Sequence, residues 1–224
     1  MKRLVLLLVT LVSSLWLPMI SAVELPPHLS GTGQAKIRFD CTSTLHDFTG
    51  YVDCEPFTWE ILPDPNTGKP IVWGKVEVVV DKMDTYNKGR DEKMHAMFES
   101  KKYPRIYGSV VDVNLVDCMP ILRKVESQNE LEEIPGILPV VLKIRTQEHK
   151  GKAKITNFHG DSKKITFTLD ATLSLNQFGL EPPSVLGLIR VGDKVKVHID
   201  VTLTPTPLKD QASDNSTNMN PTNL

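Results

Sequence analysis

The stretch Lys164–Leu175, KITFTLDATLSL, decides the class of fold. Ile165, Phe167, Leu169, Ala171, Leu173 and Leu175 occupy alternate positions. Lys164, Thr166, Thr168, Asp170, Thr172 and Ser174 lie between them. Successive side chains of a strand point to opposite faces, so this segment reads as a strand with one apolar and one polar face. Asp193–Leu203 repeats the pattern, with Val195, Val197, Ile199, Val201 and Leu203 opposing Lys194, Lys196, His198, Asp200 and Thr202. Val72–Val80 reads the same way, with Val76, Val78 and Val80 against Lys75 and Glu77.

Working outward, the same signal marks candidate strands at Gln34–Cys41, Phe48–Cys54, Phe57–Leu62, Arg105–Val116, Leu138–Thr146 and Lys152–Asn157. Many one-faced strands must hide their apolar faces together, by stacking as a sandwich or closing into a barrel. The strands are long, and one helix is available as a lid, which favours the barrel. That helix is expected over about Arg90–Lys101. Met94, Met97 and Phe98 form a one-sided stripe, and Asp91 and Glu92 begin it. Lys101 and Lys102 complement its dipole at the end, and Pro104 stops it. Met119–Ile137 lacks alternation, carries Glu126, Glu130, Glu132 and Glu133, and reads as a long surface excursion.

The ends differ from this middle. Lys2 and Arg3 precede an apolar run from Leu4 to Leu17, then Pro18, Ser21 and Ala22. That is the layout of a cleavable export leader spanning residues 1–22, since the run is shorter than the roughly 20 residues of a spanning helix. The remaining chain is expected to be soluble. Residues 205–224 are rich in Asn, Ser, Thr and Pro and read as a disordered tail. The chain has 26 basic and 27 acidic residues, and the leader removes two basic ones. No basic stripe of the kind nucleic-acid binders carry is present.

Three cysteines, Cys41, Cys54 and Cys118, fit at most one disulfide. If Gln34–Cys41 and Phe48–Cys54 pair as a hairpin around Leu45–Phe48, Cys41 and Cys54 face each other, and this is the expected bridge. Cys118 is then a free thiol. No cysteine or histidine stands in metal-site spacing, so neither a metal nor a cofactor is expected. His95 is expected to pair with Asp91 or Glu99 on the helix surface. His46–Asp47 is half of a catalytic pair at most, because no nucleophile elbow accompanies it. Ser43, Thr44, His46 and Asp47 read more simply as turn residues bonding their own backbone. Arg90 with Asp91 reads as a local cap, with an anionic head group as the alternative partner. Lys101, Lys102 and Arg105 form a small basic cluster beside the same helix.

Four segments together resemble the YceI-like family of polyisoprenoid-binding proteins. They are STLHDFTG (Ser43–Gly50), VDKMDTYNKGRDEKMHAMFESKKYPRI (Val80–Ile106), FHGDSKKITF (Phe158–Phe167) and FGLEPPSVLGLIRVGDKVKVHIDVTL (Phe178–Leu203). The third is looser than the family's usual turn. The resemblance spans about residues 33–204. It implies an all-β chain with one helix: an antiparallel, lipocalin-like β-barrel capped by a short amphipathic helix. It also implies a periplasmic location and an elongated apolar cavity for an isoprenoid or similar lipid; transient membrane contact is a further expectation for an exported lipid binder. The strand faces and the helix stripe nominate the lining as Phe39, Phe48, Val78, Val80, Met94, Met97, Phe98, Phe167, Leu169, Phe178 and Ile199. Arg90, Lys101, Lys102 and Arg105 are the head-group candidates. The competing expectations are an interaction module with a filled barrel and, behind it, a hydrolase using His46 and Asp47.

Overall fold

The computed structural model describes residues 28–125, 130–185 and 189–207. The expected leader and the tail beyond residue 207 lie outside them. In chain order the strands are β1 (Leu29–Ser43), β2 (Phe48–Asp53), β3 (Phe57–Pro63), β4 (Pro70–Val79) and β5 (Arg105–Asn114). There follow β6 (Ile121–Val125), β7 (Glu130–Ile134), β8 (Gly136–Ile144) and β9 (Gln147–Gly160). The chain ends with β10 (Ile165–Ser174), β11 (Ser184–Val185) and β12 (Ile189–Pro205). Helix α1 covers Lys88–Met97 and the single turn α2 covers Leu115–Cys118.

Eight strands close into an antiparallel barrel in the order β1–β12–β10–β9–β8–β5–β4–β3 and back to β1. Closure leaves these strands no free edge, which is what their one-faced pattern requires. The first half of β1 pairs with β3, from Leu29↔Ile61 to Gly33↔Phe57. Its second half pairs with β2, from Lys36↔Asp53 to Cys41↔Phe48. At that end of the barrel the segment Val80–Phe98 packs over the strands, with Asp84 bridging to Tyr51. Asn87 caps α1 by accepting a hydrogen bond from the Arg90 amide.

The elements depart from expectation in four places. The helix starts two residues earlier and stops at Met97; Phe98 is its cap. Val80 belongs to a 3-10 turn at Val80–Lys82 rather than to a strand. The strand expected to reach Val116 ends at Asn114, whose side chain accepts from the Val116 amide and starts α2. The Met119–Ile137 excursion is not irregular throughout. It folds back on itself as a two-stranded sheet, β6 with β7, Ile121 opposite Ile134. Its acidic residues obscure the alternation.

The Cys41–Cys54 disulfide does not form; all three cysteines are free and buried. The hairpin is there, but its register is different. Ser43 Oγ accepts from the His46 amide at 3.1 Å and donates to the His46 carbonyl at 2.7 Å, and Asp47 accepts from the Ser43 amide at 3.1 Å. These bonds pin the turn at Ser43–Asp47. Cys41 then faces Phe48, while the Cys54 amide bonds the Ala35 carbonyl. Ala35 lies six positions up β1 from Cys41, about 20 Å at the usual strand rise, far beyond disulfide reach.

Candidate functional site

The barrel's inner face is built by alternation. Ala35, Ile37, Phe39 and Cys41 of β1 point inward with Val195, Val197, Ile199 and Val201 of β12, since paired residues share a face. Phe167, Leu169 and Ala171 of β10 join them through β12. Leu138, Val140, Leu142 and Ile144 of β8 complete the wall with Ile106 of β5 and Val76 and Val78 of β4.

Both ends of this interior are tightly packed. At the α1 end Val80 and Leu180 are each 1% exposed, and Met83, Met94, Phe98, Leu175 and Phe178 are buried with them. At the far end Trp59, Ile61, Leu138, Ile155 and Cys118 are buried. The Trp59 indole donates to the Thr32 carbonyl at 3.0 Å. The middle layer differs. Ile37, Val76, Ile106, Val140, Leu142, Leu169, Ala171, Val197 and Ile199 are only half-buried although they face inward. Gly151 stands opposite Val140, and a Cβ built on it would meet nothing nearer than Val140 Cγ2 at 3.8 Å. An eight-stranded barrel has room for packed side chains or for one small ligand.

All eleven nominated lining residues fall in one apolar cluster. Phe39, Val78, Val80, Met94, Phe98 and Phe178 are buried in it; Phe48, Met97, Phe167, Leu169 and Ile199 pack against it half-buried. They divide by height. Leu169 and Ile199 belong to the loose middle layer. Val80, Met94, Phe98 and Phe178 form the plug at the α1 end, and the Phe39 ring lies against Gly50 of β2. Alternation could not separate these groups, and it passed over Ile37, Val76, Ile106, Val140, Leu142 and Val197. Their apolar-inward phase was the available signal.

The head-group candidates are committed elsewhere or point to solvent. Arg90 donates from Nε to Thr85 Oγ1 at 2.8 Å and from a terminal nitrogen to the Thr85 carbonyl at 2.7 Å, and its guanidinium lies 4.2 Å over the Phe48 ring. Asp91 accepts from both the Thr85 amide and hydroxyl. This knot fixes α1 to the preceding loop. Arg105 pairs with Glu77 at 3.1 Å. Lys102 sits 5.0 Å over the Tyr103 ring, and a side-chain bond to Tyr103 raises its pKa. Lys101 is exposed. His95 pairs with neither Asp91 nor Glu99. Its Nε2 donates to the Met83 carbonyl at 3.0 Å, and Nδ1 lies 3.8 Å from Asp81.

His46 is exposed, and the nearby Ser43 hydroxyl is occupied by turn backbone. Burial pushes the Cys41 thiol up to about 11, helped by Asp40 and opposed by Arg90. Cys54 is pushed up to about 11 by burial and then Asp53. Burial also raises Cys118, and raised thiols are poor nucleophiles. Among the described residues no group of histidines, cysteines and carboxylates is placed to hold a metal. Two crevices lie outside the barrel. One, of about 520 Å³, runs between the 3-10 turn and α1 past Asp81, Asp84, Asp91, Glu92 and His95. The other, of about 370 Å³, crosses the outer wall past Arg38, Lys152, Asp170 and His198.

A closed eight-stranded antiparallel barrel with apolar inner walls and packed ends defines the class: a lipocalin-like barrel. The chain belongs to the YceI-like family, whose domain matches residues 30–203. Among solved structures it is similar to Burkholderia cenocepacia BcnA, at 12% identity and a TM-score of 0.53, covering 76% of this chain and 96% of that one. It is also similar to a polyisoprenoid binding domain from Saccharophagus degradans implicated in plant cell wall breakdown. That match has 11% identity and a TM-score of 0.52, covering 79% of this chain and 99% of that one. At such identities the likeness is one of fold. No functionally curated protein matches the sequence.

Proposed function

We propose that this chain carries or sequesters an isoprenoid-type lipid inside its barrel, as a binding protein rather than an enzyme. The observation that carries this is the half-buried middle layer between two packed ends. Apolar side chains left half-buried forgo part of their hydrophobic stabilisation, which an apolar guest covering them would add. Family membership and the polyisoprenoid-binding neighbour support the choice of guest. The test is organic extraction of the purified full chain, with mass spectrometry of the extract, followed by rebinding of geranylgeraniol to the delipidated protein. An extract without lipid, together with a delipidated protein that does not rebind geranylgeraniol, would refute it.

We further propose that the chain acts after export, in the periplasm, as its leader implies. N-terminal sequencing of protein from a periplasmic extract should begin at Val23. A chain that keeps Met1–Ala22 and stays with the cytoplasm or the membrane refutes the export reading.

The interaction-module reading is favoured by one observation. In the half of the barrel away from α1, Trp73, Val111, Val116, Ile121, Ile134 and Ile137 are exposed. For a lipid carrier this face is suited to brief membrane contact. Co-sedimentation with anionic and neutral vesicles, compared with Trp73→Ser and Val116→Ser variants, separates the readings. Variants that leave vesicle binding unchanged remove the membrane role.

A further inference from the structure

Along the inner wall between the two plugs, the described strand positions carry apolar side chains and glycine, with His149 the exception. It stands on β9 opposite Leu142 of β8, and Leu142 packs into the main apolar cluster. The pairing puts the imidazole on the inner face. Its ring meets the buried Phe178 ring nearly perpendicular, with centroids 4.9 Å apart and planes at 84°. His149 Nε2 is buried without a hydrogen-bond partner. Among the described residues His28 Nε2, just before β1, is the other such atom, whereas the Trp59 indole is satisfied by Thr32.

A buried polar atom stripped of water and left unpaired is costly, so native structures rarely leave one. The cost is recovered when a guest supplies the missing partner. Room for a guest lies beside the ring. Two positions along the same face, Gly151 adds no side chain, and a Cβ there would meet only Val140 Cγ2, at 3.8 Å. Leu142 and Val140 across the strand pair are themselves half-buried.

We propose that His149 is the polar selector of the cavity, hydrogen-bonding an oxygen carried by the bound lipid. The barrel then prefers an oxygenated isoprenoid to a hydrocarbon of the same length. The oxygen lies under the Phe178 side of the α1-end plug, and the hydrocarbon chain runs from there toward Trp59. This rests on the lipid-carrier reading and adds the class of lipid to it. A neutral imidazole can donate or accept, so a hydroxyl or a carbonyl both satisfy it.

The test measures dissociation constants of the delipidated full chain for geranylgeraniol and for the hydrocarbon of equal chain length that lacks the hydroxyl. Both are read by displacement of one fluorescent lipid. The wild type should favour the alcohol by about tenfold, the worth of one net hydrogen bond. His149→Leu should weaken the alcohol by about that factor and leave the hydrocarbon unchanged. His149→Gln, which keeps a donor and an acceptor, should regain part of the preference. Unfolding curves of both variants check that the barrel is intact. Equal affinity of the wild type for the two lipids overturns the selector and leaves the carrier reading standing. So does parallel weakening of both lipids in His149→Leu, which marks a packing role. Binding of neither lipid by the wild type overturns both readings.

Discussion

Gly151→Phe separates a hollow barrel from a filled one by the sign of its effect. The glycine sits on the inner face opposite Val140, its φ is not in the left-handed region, and the first atom a Cβ would meet is 3.8 Å away. If the middle layer encloses space, the benzyl group enters it and buries apolar surface that was formerly absent. Burying a Phe side chain is worth about 1.5–3 kcal/mol. Replacing a strand glycine adds roughly 0.5–1 kcal/mol. A net gain of about 2–3 kcal/mol, at about 2–4 °C per kcal/mol for a domain of this size, raises Tm by roughly 5–10 °C. The same group takes the room of about one isoprene unit. At about 0.8 kcal/mol per buried methylene, losing some four of them costs about 3 kcal/mol, or about 100-fold in affinity. The assay is thermal unfolding of delipidated protein, because bound lipid would itself raise Tm, together with titration by geranylgeraniol. Gly151→Ala serves as the control for backbone effects alone. A Tm that falls, with a loss of about 1–3 kcal/mol from overpacking, and unchanged lipid binding would refute the hollow-barrel reasoning.

Three further outcomes follow from the geometry. Cys41 and Cys54 have folded pKa values near 11, against an ordinary 9.0. The folded state therefore favours the protonated thiols; that stabilisation is complete below pH 9 and is lost as pH rises from 9 to 11. Denaturant melts across this range should show the decline and Cys41→Val should flatten it, whereas equal slopes in both proteins would contradict the assignment. Arg90→Met should cost about 1–3 kcal/mol, because it removes two charge-assisted bonds to Thr85, and Arg90→Lys should not restore them, since an ammonium lacks the fork. Chemical denaturation checks this, and a neutral Arg90→Met would refute it. Gly136→Ala should destabilise by more than about 3 kcal/mol, because its Cβ would overlap the Cys118 carbonyl oxygen and backbone cannot move aside cheaply. A soluble variant with wild-type Tm would show that the α2–β8 junction relaxes freely.

Much of the wall was legible in the chain. The inward phase of β10 and β12 follows from residues 165–175 and 195–203, because a strand has only two faces and one slip exposes every apolar side chain. The nominated residues that lie on strands, Phe39, Phe48, Val78, Phe167, Leu169 and Ile199, share one cluster for the same reason. Height along the barrel was not legible. Nothing in the alternation says that Phe178 belongs to the plug while Ile199 faces the loose middle. Nothing in the chain singles out His149. Its inner position depends on pairing with Leu142, and its orphaned nitrogen on what surrounds it.

Cysteine pairing shows the boundary most clearly. Sequence placed Cys41 and Cys54 on two strands of one hairpin; the hairpin forms, with Cys41 on β1 and Cys54 one residue past the end of β2. Whether they met depended on the centre of the turn, and the Ser43 and Asp47 bonds moved it by three residues. The sequence by itself determined that this is an all-β chain whose strands have one face to hide, and that its order of segments resembles one family. Tertiary structure alone decided register, closure, and which inward residues are packed against neighbours and which face space. Local periodicity specifies a side chain's direction; contact with another strand is a property of two segments, fixed only when turns and cross-strand bonds set their alignment.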